Sequence, residues 1–122
     1  MKKRSPFLKQ KEKEVLESFV KELGEELGDE ILAIRLFGSK VRGDSREGSD
    51  IDIFILVKEK KGNLRDRKSD IAADYFFEYN IPLSPVVYSM FEYNKNKELG
   101  SFFFENVEEE GIFYEWNKPR PI

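Results

Sequence analysis

Gly38-Ser39-Lys40-Val41-Arg42-Gly43-Asp44-Ser45-Arg46-Glu47-Gly48-Ser49-Asp50-Ile51-Asp52 is the stretch on which the fold turns. Before it, Glu30 to Phe37 is rich in aliphatics and stops at Gly38, which predicts a strand entering a tight turn. After it, a second strand from Asp50 to Val57 alternates Asp50 and Asp52 with Ile51 and Ile53, then turns wholly apolar. Gly38 lets the chain turn closely. Ser39 can present a hydroxyl while starting a short helix whose free amides donate to phosphate oxygens. Asp50 and Asp52 stand two positions apart on one strand, so their carboxylates share a face and can converge on magnesium ions. A solvated strand end is the plainer reading of Asp-x-Asp. Its place beside a glycine-serine turn, on an otherwise apolar strand, favours phosphate and metal chemistry.

Working outward, Val15, Leu16, Phe19, Leu23 and Leu27 recur at helical spacing and predict a helix from about Pro6 or Lys9 to Leu27. The basic residues at its start oppose the helix dipole, so its first turns are expected to fray or to serve a contact. Leu64, Ile71, Ala72, Tyr75 and Tyr79 form a second helical stripe that ends at Ile81-Pro82. Leu83 to Ser89 reads as a third strand, with Pro85 marking an edge or a bulge because it has no amide hydrogen. Met90 to Leu99 and Ser101 to Glu110 read as short helices, and Ile112 to Trp116 as a last aromatic strand. This order predicts an α/β (α+β) fold, a small mixed sheet flanked by helices. The expected organisation is a basic extension at 1–9, one domain at 10–116 and an irregular tail at 117–122.

With 122 residues, 39% hydrophobic and 37% charged, the chain is expected to build one modest core under a charged exterior. Zero His and zero Cys exclude disulfides, Cys nucleophiles, His-dependent triads and zinc fingers, leaving carboxylates, hydroxyls, Lys, Arg, backbone amides and hard metal ions for any chemistry. A formal charge of -3 gives no broad positive surface, so nucleic acid is not favoured as a partner. The basic opening leads into no continuous apolar segment, which predicts no signal peptide, no membrane span and a cytoplasmic location.

At Gly38-Ser39, ten residues, then Asp50-Ile51-Asp52, the chain resembles the DNA polymerase beta-like nucleotidyltransferase superfamily, especially its minimal MNT or MntA antitoxin type. Arg42-Gly43 and Ser49 extend the match, with Val41 in place of the family's common alanine. The element order from about residue 10 to residue 116 is similar to the minimal family core. What the resemblance implies is magnesium-assisted transfer of a nucleoside monophosphate, AMP from ATP being the first expectation, to an acceptor hydroxyl. Asp50 and Asp52 would hold the ions as the catalytic and metal-binding pair. Gly38 would allow close approach, and Ser39 would donate to the beta and gamma phosphates. Lys40 and Arg42 are candidate phosphate contacts, each also readable as an exposed or salt-bridged cation.

Active family members usually carry a third carboxylate on a later strand, and the matching position here is Ser84. A neutral serine supplies neither the charge nor the base, and only Asp74, Glu78 or Glu92 brought into the pocket could compensate. The resemblance implies a HEPN-type helical partner, with a homo- or hetero-oligomer as the assembly. The alternative is a catalytically weakened antitoxin that neutralises its partner by binding. The run Phe102-Phe103-Phe104 cannot fit one narrow helix face, so at least one ring is expected outside the main core. The acids Glu105, Glu108, Glu109 and Glu110 read as a solvated face or a surface for a basic partner.

Overall fold

The computed structural model describes residues 7–27, 30–59 and 64–114, apart from the side chains of 64–66. In chain order it runs α1 (Gln10–Leu27), β1 (Ile31–Phe37), α2 (Ser39–Arg42), β2 (Ile51–Val57), α3 (Leu64–Tyr79), β3 (Leu83–Ser89), α4 (Met90–Leu99), α5 (Phe102–Glu110) and β4 (Ile112–Phe113). The strands form one mixed sheet ordered β3-β2-β1-β4. β1 pairs antiparallel with β2 and with β4, while β2 and β3 run parallel across the α3 crossover. The expected α/β arrangement of a small sheet flanked by helices is therefore observed. The last strand is shorter than its aromatic run: Tyr114 follows β4, and residues 115–116, like the tail 117–122 and residues 1–6 of the basic extension, lie outside the described residues.

One face of the sheet carries the main core. Val15, Leu16, Phe19, Val20 and Leu23 come round on one side of α1 and are buried, as the periodicity predicts. They join Ile71 and Ala72 of α3 over Ile51, Ile53, Ile55 and Val57 of β2 and Val87 of β3. β2, paired on both sides, is buried on both faces over much of its length, which is why Ile53 to Val57 reads as an unbroken apolar run. β1 also presents Ile31, Ile34 and Leu36 to this core. The register slips between Ile31 and Ala33, and the extra residue lets Ile31 and Ile34, three apart, both point inward.

The opposite face is covered by α4 and α5 through rings. Phe103 packs against Phe37 at 5.4 Å, Tyr88 at 5.3 Å and Phe54 at 6.1 Å between centroids, and Phe104 meets Tyr93 at 5.1 Å. Phe102 is left 85% exposed, so the triple phenylalanine divides as its spacing requires. Both covering helices are capped by serine: Ser89 and Glu92 form a reciprocal capping box on α4, and the Ser101 hydroxyl accepts from the Phe104 amide on α5. Pro85 lies on the edge strand, where its missing amide costs no ladder bond. Its carbonyl accepts from Lys68 Nζ at 3.0 Å.

Candidate active site

The turn between β1 and α2 and the start of β2 meet at one end of the sheet. Gly38 has φ 80° and ψ -157°, a backbone region that side chains other than hydrogen scarcely occupy. A Cβ built there would stand 2.1 Å from Asp52 Oδ2. Two separate demands, a backbone conformation and a close approach, thus require glycine at this position. The turn closes directly on the Asp52 carboxylate. α2 follows as a single helical turn, with the Val41 and Arg42 amides donating to the Gly38 carbonyl at 3.0 and 3.1 Å. Its first amides, on Ser39 and Lys40, precede any carbonyl one turn back within the helix and so have no intrahelical partner. Gly43 ends it in the left-handed region.

Asp52 pairs across the sheet with Phe37 on one side and with Ser84 on the other. Asp50 lies just before β2 and is exposed, while Asp52 is half-buried. Burial pushes the Asp52 carboxyl above the usual aspartate range, the neighbouring Asp50 charge pushes it the same way, Arg42 pulls it down and Glu110 adds a further rise. Such crowding of negative charge is what a bound cation relieves. Two hard-oxygen carboxylates, Asp52 in β2 and Asp50 just before it and so outside the strand expected from residue 50, beside a turn kept clear of side-chain atoms at Gly38, are a donor set that suits magnesium. That ion is commonly held by one or two carboxylates, with waters and substrate phosphates filling its remaining positions. Among the described residues no third acid, His or Cys joins the pair to make a ligand group of three.

The two cations of α2 go separate ways. Lys40 is 7% exposed, and its ammonium meets Glu12 Oε2 at 2.7 Å, so it is a buried ion pair tying α2 to the start of α1 and not a free phosphate contact. The other Glu12 oxygen accepts from the Lys9 amide at 2.8 Å. Burial raises the Glu12 pKa, but the bonds from Lys40 and Lys9 outweigh it and hold the carboxyl below the usual glutamate range. Arg42 is half-exposed. Its Nε donates to Asp44 Oδ2 at 3.1 Å, and its Nη1 to both oxygens of Glu110 at 3.2 and 3.1 Å.

Glu110 was not a candidate in the sequence. It lies 68 positions from Arg42, and only the packing of α5 over the sheet brings the two together. One signal was nevertheless there: three consecutive acids at the end of a predicted helix oppose its dipole and call for cations from elsewhere. Glu108 finds Arg35 at 3.1 Å and the Tyr93 hydroxyl, and Glu110 finds Arg42. The acidic run is therefore partly consumed inside the chain. Of the acids considered as substitutes for a third carboxylate, Glu92 serves the α4 capping box, and Asp74 and Glu78 are exposed on α3.

Comparison with known proteins gives the family. Residues 14–114 match the model of the nucleotidyltransferase domain. A Methanocaldococcus jannaschii protein that carries the provisional name protein adenylyltransferase MJ0141 is 35% identical over 101 residues, which cover 81% of this chain and 94% of the relative. Among solved structures, a toxin-antitoxin crystal structure with AMP-PNP superposes with a TM-score of 0.54 at 20% identity, covering 80% of this chain and 70% of that one. A mutant of the toxin-antitoxin pair MntA-HpeT gives a TM-score of 0.53 at 18% identity, with the same coverage. These two likenesses establish the fold. No helix among the described residues is long and apolar enough to cross a membrane.

Proposed function

Because the chain belongs to the nucleotidyltransferase domain family, of the minimal, DNA polymerase beta-like kind, we propose that it transfers a nucleoside monophosphate, AMP from ATP, to a hydroxyl of a partner protein. The observation that carries this reading is the Gly38 turn, built so that no side-chain atom separates its backbone from the Asp52 carboxylate. Asp50 and Asp52 would hold magnesium, which when bound neutralises charge on the triphosphate as pyrophosphate departs. The Gly38-Ser39 turn admits the phosphates to within reach of backbone amides and the Ser39 hydroxyl. Lys40 acts at one remove: its pair with Glu12 fixes the turn against α1. Arg42 is the phosphate contact. In the transfer itself, the acceptor oxygen bonds to the alpha-phosphorus, the bond to the bridging oxygen of pyrophosphate breaks, and the acceptor's proton passes to solvent. The partner is a helical toxin of the HEPN type and the setting is cytoplasmic; a toxin partner is supported by the toxin-antitoxin pairs among structures of the same fold.

Incubation with magnesium, a labelled triphosphate and the protein made by the adjacent gene should label that protein. Intact mass then reports which nucleotide was added. Asp52→Asn should abolish the label, and a variant that still transfers would remove Asp52 from its assigned role.

One observation favours a second reading. Ser84, at the position expected for a third carboxylate, stands directly opposite Asp52 in the parallel register and brings no charge. On that reading the chain restrains its partner by contact alone. Full neutralisation by an Asp50→Asn/Asp52→Asn double variant, with no added mass on the partner, would select it over transfer.

A further inference from the structure

Arg42 is bound in an unusual way for a half-exposed cation. Its guanidinium has three nitrogens, and two are engaged: Nε by Asp44, immediately beyond α2, and Nη1 by both oxygens of Glu110 at the far end of α5. No described residue bonds Nη2 in this arrangement, so among the described residues its two N–H groups have no acceptor. The remaining charges nearby are catalytic in placement. Both Arg42 and Glu110 act electrostatically on Asp52, the carboxylate on which the Gly38 turn closes.

The fold goes against local preference to put Glu110 there. Its helix ends on Glu108, Glu109 and Glu110 with no basic residue in the last turn, an arrangement the helix dipole disfavours. The helix ends at once on Gly111, a position held to glycine because a Cβ there would stand 2.2 Å from the Val107 carbonyl oxygen. An arginine without partners samples many rotamers. Two Glu110 oxygens on Nη1 and an Asp44 oxygen on Nε remove most of that freedom and leave Nη2, between them, as the nitrogen without a bond from a described residue.

We infer that Glu110, with Asp44, is a positioning residue that holds the Arg42 guanidinium so that Nη2 is presented to the phosphates of a magnesium-bound nucleoside triphosphate. The inference rests on the nucleotidyltransferase reading and adds to it a residue from α5. Glu110 touches no substrate; it acts through Arg42. In the free chain the two carboxylates more than offset the arginine's single charge, so it is their grip on Nε and Nη1, not charge neutralisation, that the inference assigns to them.

Calorimetric titration of the full chain with ATP and magnesium, and separately with AMP, tests it. Glu110→Ala should weaken the triphosphate about tenfold, the scale of one charge-assisted hydrogen bond, and leave AMP within about twofold. Glu110→Gln, which keeps an acceptor oxygen, should fall between Glu110→Ala and the parent chain. Arg42→Ala should lose about as much as Glu110→Ala, and the double variant no more than Arg42→Ala alone, since both act through one group. Thermal melts of each variant exclude unfolding as the cause. Additive losses, an equal loss for AMP, or tighter triphosphate binding in Glu110→Ala would each overturn the inference. Unchanged ATP affinity in both single variants, with Asp52→Asn still abolishing transfer, would overturn it and leave the nucleotidyltransferase reading intact. Failure of the parent chain to bind magnesium ATP would overturn both.

Discussion

Lys40 and Arg42 are two residues apart on one helical turn, and both carry the positive charge that phosphate binding calls for, yet the fold uses them in opposite ways. Lys40 turns towards α1 and disappears into a buried pair with Glu12, while Arg42 turns towards α5 and stays half in solvent between Asp44 and Glu110. In a helix, positions two apart face different sides, so proximity in sequence guarantees different neighbours. A buried charge is tied to its partner for the sake of the fold. An exposed, partly bonded one remains available to a ligand. The same residue class in the same motif therefore divides into a buried, structural member and an exposed one that the proposed function uses.

That division is broken most forcefully at Glu12. Glu12→Ala should cost about 3 kcal/mol in urea unfolding, because Lys40 is left buried without its counter-charge. Replacing both partners, Glu12→Gln with Lys40→Met, should recover much of the loss, since no unpaired charge then remains. The pH dependence has a definite sign. The folded state holds the Glu12 carboxyl below its ordinary range, so the pair's contribution is complete above that range and is lost as pH falls through the lowered folded value. The acid limb of a stability profile should accordingly flatten in Glu12→Gln. Persistence of an unchanged acid limb would deny the pair its structural role.

Next in size is Gly38→Ala, expected to cost about 2 kcal/mol, from the strained backbone alone, and to lose magnesium-nucleotide binding as well. Here the two sides of the comparison converge: the turn joins the buried anchor at Lys40 to the open site at Asp52. A variant that loses stability but binds nucleotide normally would show that the close approach to Asp52 has no part in binding.

The sequence disclosed this site unevenly, and the reasons are physical. Gly38, Asp50 and Asp52 stood out because local geometry marks them: a turn that needs glycine, and two acids at alternate positions where a strand begins. Ser84 was singled out only through the family resemblance, as the position matching a third carboxylate, and the parallel register sets it beside Asp52. The strand order was beyond reach, since nothing in a linear pattern says that β1 takes the centre next to β2 while a two-residue β4 closes its other edge. The bulge at Ile31 was equally hidden, because an all-aliphatic run looks the same at any register. The partners of Lys40 and Arg42 could not be seen for a further reason. Ion pairs across long loops depend on tertiary packing, and a charged run such as Glu105 to Glu110 reads the same whether its acids meet water or arginine.

A smaller effect, of opposite sign, is expected at Asp52. Burial and the Asp50 charge raise its folded pKa above the unfolded value, so the native state holds this proton more tightly than the unfolded chain does. Its contribution to stability is therefore most favourable below the ordinary aspartate range and declines as pH rises through the raised folded value. Asp52→Asn removes the decline. At neutral pH and without magnesium, the variant should melt slightly above the parent chain, and the gap should close on acidification. Added magnesium and ATP should then stabilise the parent alone, reversing the order. A variant less stable than the parent at neutral pH would mean that the carboxylate is already compensated in the free chain and is not held ready for a cation.

The smallest change in stability belongs to Glu110→Ala, and its smallness is informative. The Arg42 pair is solvent-exposed on the arginine side, where water and salt screen it and where ordering two long side chains offsets the attraction. Its urea midpoint should stay within measurement error of the parent chain, in contrast to the loss at Glu12. If nucleotide affinity nevertheless falls while the midpoint holds, the interaction is maintained for the ligand, not for the fold. A midpoint that fell as far as that of Glu12→Ala would place Arg42 in the same structural class as Lys40 and erase the difference between them.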